Sequence, residues 1–271
     1  MESFRAAVIQ LTSKGVVQEN LEVSYKLIRK ASENGADFIA LPENFSWMRL
    51  PNSDSPPVYS FKSSDTNPII DDLSKLSRQL GCYILIGSLP EKAGDDGRHY
   101  NTSFLIDPHG TIIGKYRKRH LFDVDLNDGT ALRESDDIIS GDEIVSVKTP
   151  LGVFGLSICY DLRFPEHYRK LAHMNSEVMT VPSAFTEYTG RAHWHILLRA
   201  RAIENQCYVI APNQTGRHGD DRVSFGHSLI VDPWGEVIAD AGEDEGFAVA
   251  DLEPEKLTSV RESLPALRHR K

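Results

Sequence analysis

The chain has 271 residues, 40% hydrophobic and 25% charged, and its 30 basic against 39 acidic residues give a formal charge of -9. The length suits one large globular domain over residues 1–271, and the acidic excess argues against nucleic acid or an anionic membrane as partner. Cys82, Cys159 and Cys207 are widely spaced without a C-x-x-C pair, which removes a disulfide framework and a thiolate zinc site. A small soluble substrate and a reducing, cytoplasmic setting are expected, since no signal-peptide-like start or long apolar run is present.

Residues 4–11 (F-R-A-A-V-I-Q-L) predict a strand, and Val17, Leu21, Ile28 and Ala31 then recur at helical spacing up to Gly35. Residues 37–41 predict a buried strand closed by Pro42-Glu43. Because a helix connects them, these strands should lie parallel through a right-handed crossover. Glu43 would then emerge at the C-terminal end of a core strand, where open α/β sheets gather their chemistry. Residues 46–64, rich in Ser, Pro and Asn, predict a loop that Trp47 and Met48 line or anchor. Ile69, Leu73, Leu76 and Leu80 mark a second amphipathic helix, and residues 82–89 a third strand with Cys82 in the core.

From Tyr100 the period changes. Residues 104–106 and 111–114 flank the turn Asp107-Pro108-His109-Gly110, and Asp232-Pro233-Trp234-Gly235 repeats the device between residues 229–231 and 236–238. One hairpin in each half hints at an internal repeat. Residues 115–122 are basic and aromatic and by themselves read as an exposed charge run. Residues 123–142, which hold Glu134, read as a long active-site loop.

The run Gly152-Val153-Phe154-Gly155-Leu156-Ser157-Ile158 predicts a buried strand that delivers Cys159, and Pro165-Glu166 opens the helix that follows. A cysteine in a core strand is usually an inert small hydrophobe. At a strand-to-helix junction, N–H groups and nearby cations would instead lower its pKa and make it a nucleophile. Residues 166–174 and 192–205 predict helices, and residues 177–181 and 207–211 strands. This alternation indicates sheets with helices on their outer faces, two of them packed together. His193 and His195 flank Trp194 on a predicted helix and cannot face one ion together, so no metal is expected.

Glu43 after Leu41-Pro42, Lys118 within Tyr116-Arg117-Lys118-Arg119-His120-Leu121, and Cys159 within Ile158-Cys159-Tyr160-Asp161-Leu162-Arg163-Phe164-Pro165-Glu166 together resemble the signature of the nitrilase (carbon-nitrogen hydrolase) superfamily. The resemblance runs nearly end to end. The motifs around residues 183–186, 190–194, 198–204, 216–218 and 226–228 look most like the Nit amidase branch, the deaminated glutathione amidases. It implies a four-layer α-β-β-α sandwich of two mixed sheets, assembled as a homodimer or higher homo-oligomer, and a Glu-Lys-Cys triad without a cofactor.

Amide hydrolysis needs a nucleophile, a base that returns its proton to the leaving nitrogen, and positive charge facing the oxyanion. By resemblance these are Cys159, Glu43 and Lys118 with the backbone N–H of Tyr160, and Glu134 matches the family's second glutamate. Partial burial should bring the Glu43 pKa towards working pH. The expected reaction takes a terminal carboxamide of a small anionic substrate to acid and ammonia through a thioester, with deaminated glutathione the leading candidate. Arg133, Arg191, Arg217 and His218 are candidate anion contacts beside Tyr160. The alternatives are an omega-amidase acting on alpha-ketoglutaramate, another aliphatic amidase or nitrilase, and a non-catalytic interaction scaffold.

Overall fold

A computed structural model describes residues 1–50, 56–61, 67–94, 97–129, 131–219 and 222–270. The first half runs β1 (Phe4–Gln10), α1 (Val17–Glu33), β2 (Phe38–Ala40), α2 (Pro68–Leu80), β3 (Tyr83–Lys92), β4 (His99–Ile106) and β5 (Ile112–Arg117), then a ribbon of β6 (Asp123–Asp125) and β7 (Ala131–Arg133). The second half runs β8 (Ser146–Thr149), β9 (Gly152–Leu156), α3 (Pro165–His173), β10 (Val178–Thr180), α4 (Glu187–Asn205) and β11 (Tyr208–Ala211). It continues through β12 (Thr215–His218), β13 (Arg222–Phe225), β14 (Leu229–Val231), β15 (Val237–Asp240), β16 (Gly246–Leu252) and α5 (Pro254–Ser263).

Two six-stranded sheets result, ordered β16-β1-β2-β3-β4-β5 and β15-β14-β11-β10-β9-β8. In each, three parallel strands continue into an antiparallel hairpin, and an antiparallel strand closes the opposite edge. The repeat hinted at by the two Asp-Pro turns is therefore a repeat of sheet topology.

The layers follow from strand alternation. Strand β1 sends Phe4, Ala6 and Val8 to one core and Ala7 and Ile9 to another. The first set meets Phe38 and Leu85 of its own sheet and Phe154 and Leu156 of the second, where the Phe38 and Phe154 rings stack 4.6 Å apart. The second set packs beneath Leu21 and Ile28 of α1 and Ile69 and Leu73 of α2. Helices α3 and α4 cover the second sheet with Tyr168, Leu171, Trp194 and Leu198. The architecture is the expected four-layer α-β-β-α sandwich.

Some elements differ from the sequence reading. Helix α4 begins at Glu187 rather than residue 192. Gly190, which looks like a breaker, sits inside its first turns because an added Cβ would lie 2.4 Å from Phe225. Residues 115–117 belong to β5, and Tyr116 and Lys118 are buried rather than part of an exposed run. Of the loop read at residues 46–64, positions 51–55 and 62–64 lie outside the described residues, and Trp47 and Met48 are buried anchors. Position 130 of the loop read at residues 123–142 also lies outside them. Among the described residues no helix is long and apolar enough to cross a membrane.

Candidate active site

Glu43 follows the end of β2, where Leu41 N–H still donates to Leu85 O at 3.0 Å and carries the pairing past the strand. Gly87 of β3 is required beside it, because a Cβ there would lie 2.1 Å from the Pro42 carbonyl oxygen. Gln214 Nε2 donates to the Glu43 carbonyl at 2.9 Å and fixes its backbone. The carboxylate accepts three hydrogen bonds, Oε1 from Asn101 Nδ2 and Lys118 Nζ, both at 2.9 Å, and Oε2 from Ala184 N–H at 3.0 Å.

Lys118 lies directly after β5, and its N–H donates to Asn101 O at 2.9 Å. Its Nζ reaches Glu43 and, at 2.9 Å, each oxygen of Glu134. Burial opposes the ammonium charge, but Glu134 and Glu43 outweigh it and hold the Lys118 pKa well above its ordinary value. Glu134 opens a 3-10 turn (Glu134–Asp136) after β7, where Phe122 N–H donates to its Oε2 at 2.7 Å.

Cys159 begins a 3-10 turn (Cys159–Arg163) between β9 and α3. Its backbone is left-handed, with φ of 48°, a conformation a non-glycine residue keeps only where its surroundings over-determine it. Its N–H donates to Pro182 O at 2.9 Å. The expectation of a lowered thiol pKa is reversed. Burial pushes it up, the Glu43 carboxylate adds to the rise, and Lys118 pulls the other way without cancelling it. The resting sulfur is therefore a protonated thiol facing a carboxylate that can take its proton.

Glu43, Lys118, Glu134 and Cys159 line one pocket of about 300 Å³, part of it open to solvent. Tyr160, Phe122, Phe185 and Thr189 complete much of the wall, with two arginines the sequence reading did not select, Arg163 and Arg222. Arg163 stands over the rings of Tyr160 and Phe185, 5.8 and 5.2 Å from their centroids. Arg222 donates to Ala184 O at 3.4 Å, and its buried Nε has no hydrogen-bond partner among the described residues. Position in the Cys159 turn was the available signal for Arg163. Arg222 carried none, because its hairpin was not recognised.

Of the candidate anion contacts, only Tyr160 lines this pocket. Arg133 pairs with Asp125 at 2.5 Å, Arg191 pairs with Glu187 at 2.5 Å, and both are solvent-exposed. Arg217 is exposed on β12. His218 is fully buried between Ser13 O and Ser224 Oγ, each 2.8 Å away, and burial lowers its pKa to about 4. Two groups, His120 with Asp161 and His167, and His195 with His227 and Asp240, bring potential metal-ligating atoms within 4.8 Å of one another. Neither lines the pocket.

The carbon-nitrogen hydrolase family model matches residues 5–262. A Synechocystis protein named deaminated glutathione amidase is 42% identical over 273 residues, covering 100% of this chain and 99% of that protein. The crystal structure of the C. elegans NitFhit protein superposes with a TM-score of 0.89 at 35% identity, covering 100% of this chain and 66% of that one. A glutamate-to-leucine mutant of an amidase from Nesterenkonia sp. AN1, with the acetamide moiety of fluoroacetamide added covalently at its active site cysteine, superposes with a TM-score of 0.78 at 25% identity. That match covers 98% of this chain and 96% of the amidase.

Proposed function

Because the chain belongs to the carbon-nitrogen hydrolase family and is an amidase acting on non-peptide carbon-nitrogen bonds, we propose that Cys159 is its nucleophile and that Glu43, Lys118 and Glu134 are its other catalytic groups. The observation that carries this reading is the buried Lys118 ammonium, held 2.9 Å from both Glu43 and Glu134 in the pocket that Cys159 lines. A buried cation fixed by carboxylates is preorganised to face developing negative charge without reorganising during reaction.

In the proposed reaction Sγ of Cys159 attacks the amide carbon as its proton passes to Glu43. The resulting oxyanion is stabilised by Lys118 Nζ and the Tyr160 N–H, which lies at the start of a helical turn where N–H groups lack intrahelical partners. Protonated Glu43 gives its proton to the nitrogen, the C–N bond breaks and a thioester remains. The nitrogen leaves as ammonia from a primary carboxamide and as an amine from a substituted amide. Glu43, with Glu134 orienting, then takes a proton from water, whose oxygen attacks the thioester carbon; the C–S bond breaks, Glu43 returns the proton to Sγ and the acid is freed.

Deaminated glutathione is the proposed substrate, on the names of relatives such as the Synechocystis protein. Arg163 and Arg222 place two guanidinium groups in the pocket wall, which suits such an anionic amide. We assign residues 1–271 to a single catalytic domain working without a cofactor in a reducing, cytoplasmic setting, consistent with three free cysteines. The exposed Ile196, Ile203 and Trp234 support a homodimer or higher homo-oligomer. The test is a panel of deaminated glutathione, alpha-ketoglutaramate, simple aliphatic amides and nitriles. The highest kcat/KM is expected for deaminated glutathione, and a clear preference for any other member overturns the substrate assignment.

A further inference from the structure

Asp161 is completely buried and does not line the pocket that holds Cys159, yet its carboxylate collects four hydrogen bonds from two separate parts of the catalytic machinery. Oδ2 accepts from the Tyr116 hydroxyl at 2.6 Å and from the Ile158 N–H at 2.9 Å. Oδ1 accepts from the His120 N–H at 3.0 Å and faces His120 Nδ1 at 2.6 Å. Tyr116 and His120 flank Lys118 on either side, and Ile158 immediately precedes Cys159. One buried carboxylate thus bridges the segment that carries the cation and the turn that carries the thiol.

A second tie runs parallel to it, since the His120 ring stacks on Phe164 with centroids 3.7 Å apart. From the far side, Arg201 donates to the Leu162 carbonyl at 3.1 and 2.8 Å and anchors the same turn to α4. Asp161 also closes the turn on itself, because its own N–H donates to Ile158 O at 3.1 Å. The strained left-handed backbone at Cys159 is held between these bonds.

We propose that Asp161 is a positioning residue that sets the Lys118 ammonium against the Cys159 sulfur. The inference rests on the catalytic reading of those two residues and adds what fixes their separation. Lys118 follows a strand of one sheet and Cys159 a strand of the other, so their separation depends on contacts that tie the two segments together, and the Asp161 carboxylate is one of these. A misplacement of about 1 Å can cost about 100-fold in rate.

The chemistry demands a carboxylate rather than an amide. Each oxygen of Asp161 faces one backbone N–H, Ile158 on one side and His120 on the other. A backbone N–H cannot become an acceptor, so either orientation of an asparagine amide would set its NH2 against one of them. Tyr116→Phe removes one bond and leaves both N–H contacts in place.

The experiment compares wild type, Asp161→Asn, Tyr116→Phe and His120→Ala by amidase kinetics, circular dichroism and the rate at which iodoacetamide alkylates Cys159 without substrate. With Asp161→Asn folded, kcat is expected to fall about 100-fold while KM changes less than about threefold, and the alkylation rate and its pH profile should shift. Tyr116→Phe and His120→Ala should fall between it and wild type in kcat. Should Asp161→Asn not fold, those two variants decide. Folded variants with wild-type kcat and an unchanged alkylation profile overturn the proposal, as does a loss that appears only in KM. Failure of the catalytic reading shows separately, as full activity in Cys159→Ala.

Discussion

Lys118 Nζ stands 2.9 Å from Glu43 Oε1 with both side chains almost fully excluded from water, 1% and 2% exposed. Glu134 joins them at the same distance with 21% exposure. The three charges form a chain of carboxylate, ammonium and carboxylate, and removing the middle member strands the outer two. Breaking a buried ion pair from one side costs about 3–5 kcal/mol. Lys118→Met should therefore lower both stability and activity, the latter by at least about 100-fold. Urea denaturation beside amidase assay checks it, and a variant as stable as wild type would show that the carboxylates do not depend on this cation.

Glu43→Gln should separate acidity from turnover. In the native site burial and Glu43 both raise the Cys159 pKa while Lys118 lowers it. Removing the carboxylate leaves Lys118 and the Ala184 N–H acting against burial, so the thiol should ionise at a lower pH than in wild type even as amide hydrolysis is lost with its base. Iodoacetamide alkylation across pH measures the first and substrate turnover the second.

The same electrostatics mark where sequence reasoning reached its limit. The strand periodicity of residues 4–11 and 37–41, with the helical spacing between them, was enough to place Glu43 at a strand end. The two Asp-Pro turns hinted at a repeat, and the pairing of the two sheets is what shows it to be one of topology. What periodicity could not show was depth. Lys118 sits in a run that looks solvated, and its burial depends on Glu43 and Glu134, which arrive from distant segments. The direction of the Cys159 shift was misjudged for the same reason, since helix-terminal N–H groups are local and the burial that outweighs them is tertiary. The short β12–β13 hairpin, β16 and α5 lacked a legible pattern.

Arginine substitutions should divide by placement. Arg163→Ala and Arg222→Ala remove two cations that line the pocket, and each should raise KM for an anionic amide by about tenfold or more, as loss of a charged hydrogen bond worth about 1.5–3 kcal/mol implies. Arg133→Ala and Arg191→Ala break exposed pairs with Asp125 and Glu187, and surface pairs contribute about 0–1 kcal/mol. Steady-state kinetics of the four variants should leave the last two near wild type.

His218 should give the fold an acid-sensitive element. Neutral, it donates from Nδ1 to Ser13 O and accepts at Nε2 from the Ser224 hydroxyl. Its folded pKa of about 4 lies below its unfolded value of about 6.5. The unfolded chain thus binds the proton first, and the stabilisation present above pH 6.5 is lost as pH falls towards 4. That difference is worth roughly 3 kcal/mol. Denaturation midpoints of wild type and His218→Gln at several pH values in this window should show a shallower acid slope in the variant.

The central claim is that Cys159 carries the acyl group. Mass spectrometry of enzyme stalled with a slowly hydrolysed amide, followed by peptide mapping, tests it directly. The expected result is one acyl adduct on the peptide containing Cys159, absent in folded Cys159→Ala, which also fails to release the amine. An adduct on Cys82 or Cys207, or wild-type turnover in Cys159→Ala, would contradict the account.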